Sequence, residues 1–272
     1  MKHKIIYTVT GMLALGGLFS CSNQMGSGAY EPKAASAGMP WVGADSALAS
    51  PEMARVAAPT ERPGLATGWG QEKSSPVYGQ SFVRSSSKPA GVDAIYYNNP
   101  EGIKAMTQAP ERVGGTQSAA GGLVEWGIKG RMGLLTAYKE WGGGRRLVAG
   151  AADSTYSIQI KNRSRSTLEV VASVDGLDVM DGATASYRKR GYLIDPGQVL
   201  DIDGFRTSHS KVAAFKFSSV ANSYANLRHG DTRNVGVIGL AVFTQKGVDP
   251  WTWMPDEVSR RISAQPFATP PR

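Results

Sequence analysis

Between Arg145 and Thr244 the chain alternates short apolar runs with turn dipeptides, and no segment between them is long enough for a crossover helix. Tyr156–Lys161 (YSIQIK) sets apolar against polar residues one by one, the period of a half-buried strand. Thr167–Val174 (TLEVVASV) is rich in β-branched residues and ends at Asp175-Gly176, and Asp181-Gly182 marks a second turn. Tyr192–Ile194, Pro196-Gly197 and Val199–Ile202 have the form of a hairpin closed by a tight turn. Arg146–Ala149 and Val212–Phe217 are further extended runs. Val235–Phe243 is the least polar stretch and is expected at the centre of a sheet, where Gly236 and Gly239 allow close approach or a bulge. Tyr224–His229 fits one helical turn in a loop. Short strands bounded by turns, without crossover helices, predict an all-β fold, an antiparallel β-sandwich.

The flanks have a different character. From Ser22 to Gly122 the chain is punctuated by Gly, Pro, Ser and Ala, and no apolar periodicity persists to offset the entropy of ordering a core. This predicts a long, largely disordered N-terminal arm over residues 21–122, with a root-mean-square reach of roughly 50–60 Å. Within it, Gln80–Val83 and Ala94–Tyr97 could pair as strands. Trp41, Trp69, Tyr96 and Tyr97 are either docking points for a partner or packing against the folded part, and the whole region could fold back onto the domain. Leu123–Trp141 is expected to be a strand or short helix leading past a hinge at Gly142-Gly143-Gly144, so the sandwich is assigned to residues 123–248. The tail, 249–272, offers Trp251 and Trp253 to cover an open edge, then a short helix over Val258–Ala264 after Pro255.

The amino end indicates destination. Lys2-His3-Lys4 precedes Ile5–Phe19, an apolar run too short to cross a hydrocarbon core of about 30 Å, so it has the form of an export signal. Leu18-Phe19-Ser20-Cys21 resembles the lipobox of bacterial lipoproteins. The resemblance implies a signal peptide over residues 1–20 and fatty acids, palmitate among them, on Cys21. Ser22 in place of Asp implies the outer membrane, periplasmic or surface-facing. Each buried methylene contributes about 0.8 kcal/mol, so two or three chains hold firmly where one would not. Cys21 is the only cysteine, which excludes intramolecular disulfides and thiolate zinc clusters. Val174–Gly182, Tyr187–Tyr192 and Asn234–Gly239 resemble a β domain of uncharacterised exported bacterial proteins, over residues 155–245. That resemblance implies an envelope location and carries no activity.

Three constellations could carry chemistry. The net charge is +8, and Arg188-Lys189-Arg190 is the densest basic run, with Arg206 expected on the same side. Such a cluster suits an acidic glycan or anionic lipid headgroup, or it is a solvated strand edge that resists aggregation; nucleic acid does not fit an exported protein. Asp175, Asp178 and Asp181 recur every third residue and could supply some of the 6–8 oxygens a Ca²⁺ ion takes, or serve as turn residues. His209, His229 and Asp231, with Ser208, Ser210 and Ser223 near in sequence, form the only acid–base set, and no Gly-x-Ser-x-Gly elbow occurs. The expectation is therefore a lipid-anchored envelope protein without catalysis or cofactor, presenting its sandwich to a protein partner. An acidic glycan- or anionic lipid-binding module stands second and a hydrolase with an unrecognised site third.

Overall fold

The computed structural model describes residues 61–107, 110–140, 143–251 and 255–266 of the 272. The leader, Cys21, Trp41, Trp141 and Trp253 lie outside the described residues. The first strands are β1 (Leu65–Ser74), β2 (Gly91–Asn98), β3 (Glu111–Val113) and β4 (Thr116–Ala119), with helix α1 (Pro100–Met106) after β2. A 3-10 turn, Ala120–Gly122, leads to β5 (Val124–Gly130), β6 (Gly133–Leu134), β7 (Ala137–Lys139) and β8 (Arg146–Ala149). Then come β9 (Thr155–Asn162), β10 (Leu168–Val174), β11 (Leu177–Asp178), β12 (Tyr192–Ile194), β13 (Val199–Ile202) and β14 (Gly204–Arg206). The chain closes with β15 (Lys211–Ser219), α2 (Tyr224–His229), β16 (Val237–Thr244) and α3 (Pro255–Ile262).

These strands form two eight-stranded sheets. One runs β1-β15-β9-β5-β4, with β13 and β14 added beside β9 and β15 and β6 beside β5. The other runs β11-β10-β16-β2-β8-β7-β3, with β12 beside β10. Every pairing is antiparallel except β2 with β8. Alternate residues of both sheets meet in one core: Trp126, Ile158, Ile160, Phe215 and Phe217 from the first, Ile95, Val148, Val170, Ile238 and Leu240 from the second. The sandwich expected from the strand spacing is present, and β16 is interior, between β10 and β2, as its apolar composition predicts.

The arm expected to extend to residue 122 does not. From residue 65 onward it supplies strands, and residues 22–60 lie outside the described residues. β1 pairs along its length with β15, from Leu65↔Ser219 to Ser74↔Lys211, with one irregularity between Trp69 and Glu72. β2 lies between β16 and β8 and buries Ile95 and Tyr97. Each of these strands buries only a few residues, so no long periodicity shows; their hydrogen bonds come from distant strands, β15 and β16 more than a hundred residues away and β8 about fifty. Gly70 belongs here for a steric reason, since a Cβ on it would stand 2.5 Å from the Ala214 carbonyl oxygen.

Three local expectations are also corrected. Tyr192–Ile194 and Val199–Ile202 are strands, but they do not pair with each other: β12 adds to β10 and β13 to β9. Pro196-Gly197 is a corner between sheets, hooked on the fully buried Asn162, whose Nδ2 donates to the Ile194 carbonyl at 2.8 Å. The Asn162 N–H donates to Gln198 O and Gly197 N–H to Asn162 O. The hinge expected at Gly142-Gly143-Gly144 falls between β7 and β8, which are neighbouring antiparallel strands of one sheet, and Gly142 itself lies outside the described residues. Ala94–Tyr97 pairs with β16 and β8, not with Gln80–Val83.

Candidate functional site

Asp175-Gly176 closes the β10–β11 hairpin with φ of 54° and 80°, positive at both central residues as a type I′ turn requires. The turn sends the Asp175 carboxylate inward. Oδ1 accepts from Tyr97 OH at 2.6 Å and Gly236 N at 2.9 Å, and Oδ2 accepts from Thr67 N at 2.7 Å. The Thr67 hydroxyl in turn meets Tyr97 OH at 2.8 Å and Tyr156 OH at 2.6 Å. Gly236, at φ 85°, is the conformation that lets the β16 approach aim its N–H at the carboxylate. Burial pushes the Asp175 carboxyl up to about 6, and the donors from Tyr97, Thr67 and Gly236 hold it from rising further. Burial, with the Asp175 charge adding to it, raises both tyrosines well above their ordinary value. The carboxylate is occupied by protein donors, so this cluster ties β1, β2, β10 and β16 together.

Asp178 and Asp181 go elsewhere. Asp178 is fully buried; its Oδ1 accepts from Met180 N at 2.8 Å, its Oδ2 has no protein partner, and burial raises its pKa. Asp181 is exposed and accepts from Lys189 Nζ and Ala183 N. The three carboxylates proposed as cation ligands therefore face three environments, and no cluster suited to a metal exists among the described residues. A three-residue spacing places ligands on one face of a helix; here it spans two tight turns.

The basic run is organised by a residue the sequence did not single out. Arg84 grips Glu169 through Nε–Oε2 at 2.6 Å and Nη2–Oε1 at 3.0 Å, and it also donates to the carbonyls of Tyr187 and Lys189. Its guanidinium lies 3.6 Å over the Phe243 ring. Gly191 N adds a bond to Glu169 Oε1 at 2.8 Å. Burial alone would raise the Glu169 carboxyl; Arg84 and the Gly191 N–H outweigh it and hold the group below its ordinary value. The one available signal was Glu169 itself, a lone charge in an otherwise apolar strand.

That clamp sets the loop so that its cations diverge. Lys189 turns to Asp181, Arg188 is exposed, and Arg190 lines a groove. The groove has a volume of about 720 Å³ and lies between the extended segment Pro76–Gln80, the stretch Arg190–Leu193 and the stretch Arg206–His209, with Met180 and Leu200 completing its apolar wall. The extended segment is held by Ser75 N to Ser210 O at 2.8 Å and Val77 N to His209 O at 2.9 Å. Arg206 fixes the same junction, donating to Ser75 O at 2.8 Å and Tyr192 OH at 3.0 Å. Tyr78 stands 90% exposed at the rim. Of the four basic residues suggested by sequence, Arg190 and Arg206 are thus brought together. A second cavity of about 550 Å³ lies beside Trp251 and α3, crossed by the Arg165–Asp249 ion pair.

The acid–base set is dispersed. His209 lines the groove, His229 Nε2 lies 2.9 Å from the Gly182 carbonyl, and Asp231 is held by Arg233, whose guanidinium draws its carboxyl down to about 2. Ser223 is buried as the N-cap of α2. No helix among the described residues is long and apolar enough to cross a membrane. Comparison with protein-family models, with curated proteins and with solved structures finds no significant match to this chain.

Proposed function

We propose that the protein is a recognition module held at the cell envelope, outer membrane included, by fatty acids on Cys21, and that it works by binding a protein partner. The observation that carries the reading is the groove between the segment after β1 and β12: concave, apolar along one wall, and lined by two arginines and no acidic side chain. Such a surface suits binding better than bond chemistry, because neither histidine is ion-paired to a carboxylate among the described residues and the hydroxyls of Ser208 and Ser210 face each other at 3.5 Å. The leader and its lipobox resemblance support envelope attachment. Mass spectrometry of the mature product tests this: acylated Cys21 as the first residue is expected, and a free thiol or an uncut leader overturns it. Crosslinking in intact envelopes should then capture a stoichiometric protein partner.

A second reading, an acidic glycan ligand, is favoured by Tyr78, whose exposed ring beside Arg190 could stack on a sugar face. It predicts salt-sensitive binding of a polyuronate that is lost on Tyr78→Ala.

A further inference from the structure

Two cations face the groove without an anionic partner. Around the Arg206 guanidinium every acceptor is neutral: Ser75 O and Oγ, Ser208 O, His209 O and the Tyr192 hydroxyl. Neither Arg206 nor Arg190 forms an ion pair with any described carboxylate. Glu169, the acid whose field reaches Arg190, is already gripped by Arg84. Asp178 and Asp203 act on Tyr192 only at longer range, and Asp203 is paired with Lys73 at 3.7 Å. A partly buried guanidinium satisfied by dipoles alone keeps its full charge, which is worth more to an incoming carboxylate in a concave, partly desolvated site than on open surface.

The groove also has an open strand edge. In an antiparallel ladder, successive residues direct their N–H and C=O groups to opposite sides. Asp175 N donates to Val237 O, so the odd-numbered residues of β10 bond to β16 and the even-numbered ones to the opposite side, where β12 lies beside Leu168–Val170. Val170 and Leu168 therefore take Tyr192 and Ile194, and Leu193 directs its N–H and C=O away from β10. Among the described residues, no strand pairs with that side of β12. Leu193 is at the same time a groove residue.

We propose that the groove binds an extended acidic polypeptide segment that adds to the free edge of β12, with a carboxylate against Arg190 and Arg206 and an apolar side chain against Val77, Met180 and Leu200. Strand addition supplies affinity through the backbone, and the alternate side chains supply selectivity. The charge pattern selects acidic segments over basic ones, and the apolar wall selects peptide over a sugar acid. The inference rests on the recognition reading above but not on lipidation, so it can fail while the envelope attachment stands.

The test uses the purified full-length chain and a fluorescein-labelled hexapeptide alternating valine and glutamate, with its valine–lysine counterpart and trigalacturonate as comparison probes. Saturable binding of the acidic peptide, weakened about tenfold by Arg190→Ala and unchanged by Arg188→Ala, is expected. Affinity should fall as salt rises. Leu193→Pro, which removes the outward N–H together with the side chain, should weaken binding more than Leu193→Ala, which removes the side chain alone, and Arg190→Ala should retain the native melting temperature. Equal losses with Arg188→Ala and Arg190→Ala, binding of trigalacturonate in place of the peptide, or no binding of the acidic peptide would each overturn the proposal.

Discussion

The Arg84 guanidinium meets the Glu169 carboxylate side-on, with both nitrogen–oxygen contacts at or below 3.0 Å, and lies flat against Phe243 on the outer face of the second sheet. Glu169 is only 5% exposed. Removing Arg84 therefore leaves a buried charge without its partner, which costs about 3–5 kcal/mol. Arg84→Ala should lower stability by about that much in urea, and Arg84→Ala with Glu169→Leu should recover most of the loss. In the single variant, trypsin should also cut the Arg188–Arg190 loop faster, because its two carbonyl anchors are gone.

Asp175 links stability to pH. Its folded value of about 6 lies above its ordinary 3.8, so the contribution is fully present below pH 3.8 and is lost as pH rises through 6. The span corresponds to about 3 kcal/mol. Asp175→Asn should abolish this slope between pH 4 and 6, whatever its absolute stability. Denaturation midpoints across that range measure it.

Tyr97→Phe removes one donor to the same carboxylate and leaves the Thr67 hydroxyl with Tyr156 alone. A loss of about 1–3 kcal/mol is expected. Because Tyr97 holds the Asp175 carboxyl down, the pH window should also move upward in this variant, which a purely steric defect would not produce.

Asn162→Ala should cost about 3 kcal/mol or more. Its side chain donates to Ser166 O and Ile194 O and accepts from Ser164, all buried, and alanine can replace none of these bonds. Proton chemical shifts of Ile194 and Gly197 should report loosening of the corner before global unfolding.

A fragment beginning at residue 123 lacks β2, leaving β16 and β8 without the strand between them. It should give a collapsed amide proton spectrum, while a fragment beginning at residue 61 should show the dispersion of a folded sandwich.

Where a strand carries its own pattern, the sequence was a sufficient guide. β9, β10, β15 and β16 alternate or run apolar, and all four stand where the pattern puts them. β1 was not legible, because LATGWGQEKS becomes a strand by what it pairs with; the core of β2, Ala94–Tyr97, was legible as a strand but its partners were not, since pairing partners leave no mark on local composition. The Pro196-Gly197 corner failed for a related reason: a tight turn between two strands looks the same whether they pair with each other or depart to different sheets. At the candidate site, Arg190 and Arg206 were visible as charge, but Lys189 and Arg188 had the same signal and different surroundings. Tyr78 and Arg84 gave no signal, since one sits in a stretch without period and the other among serines.

The pairing of the first strands with the last has a consequence for how the chain can be delivered. Leu65 waits for Ser219 and Ile95 for Ile238, so neither sheet can be completed while the polypeptide is still emerging, amino end first, from a ribosome or a secretion pore. Until nearly the whole length has passed through, β2 has β8 on one side and nothing on the other. The closing step of this architecture therefore depends on the last hundred residues of the chain.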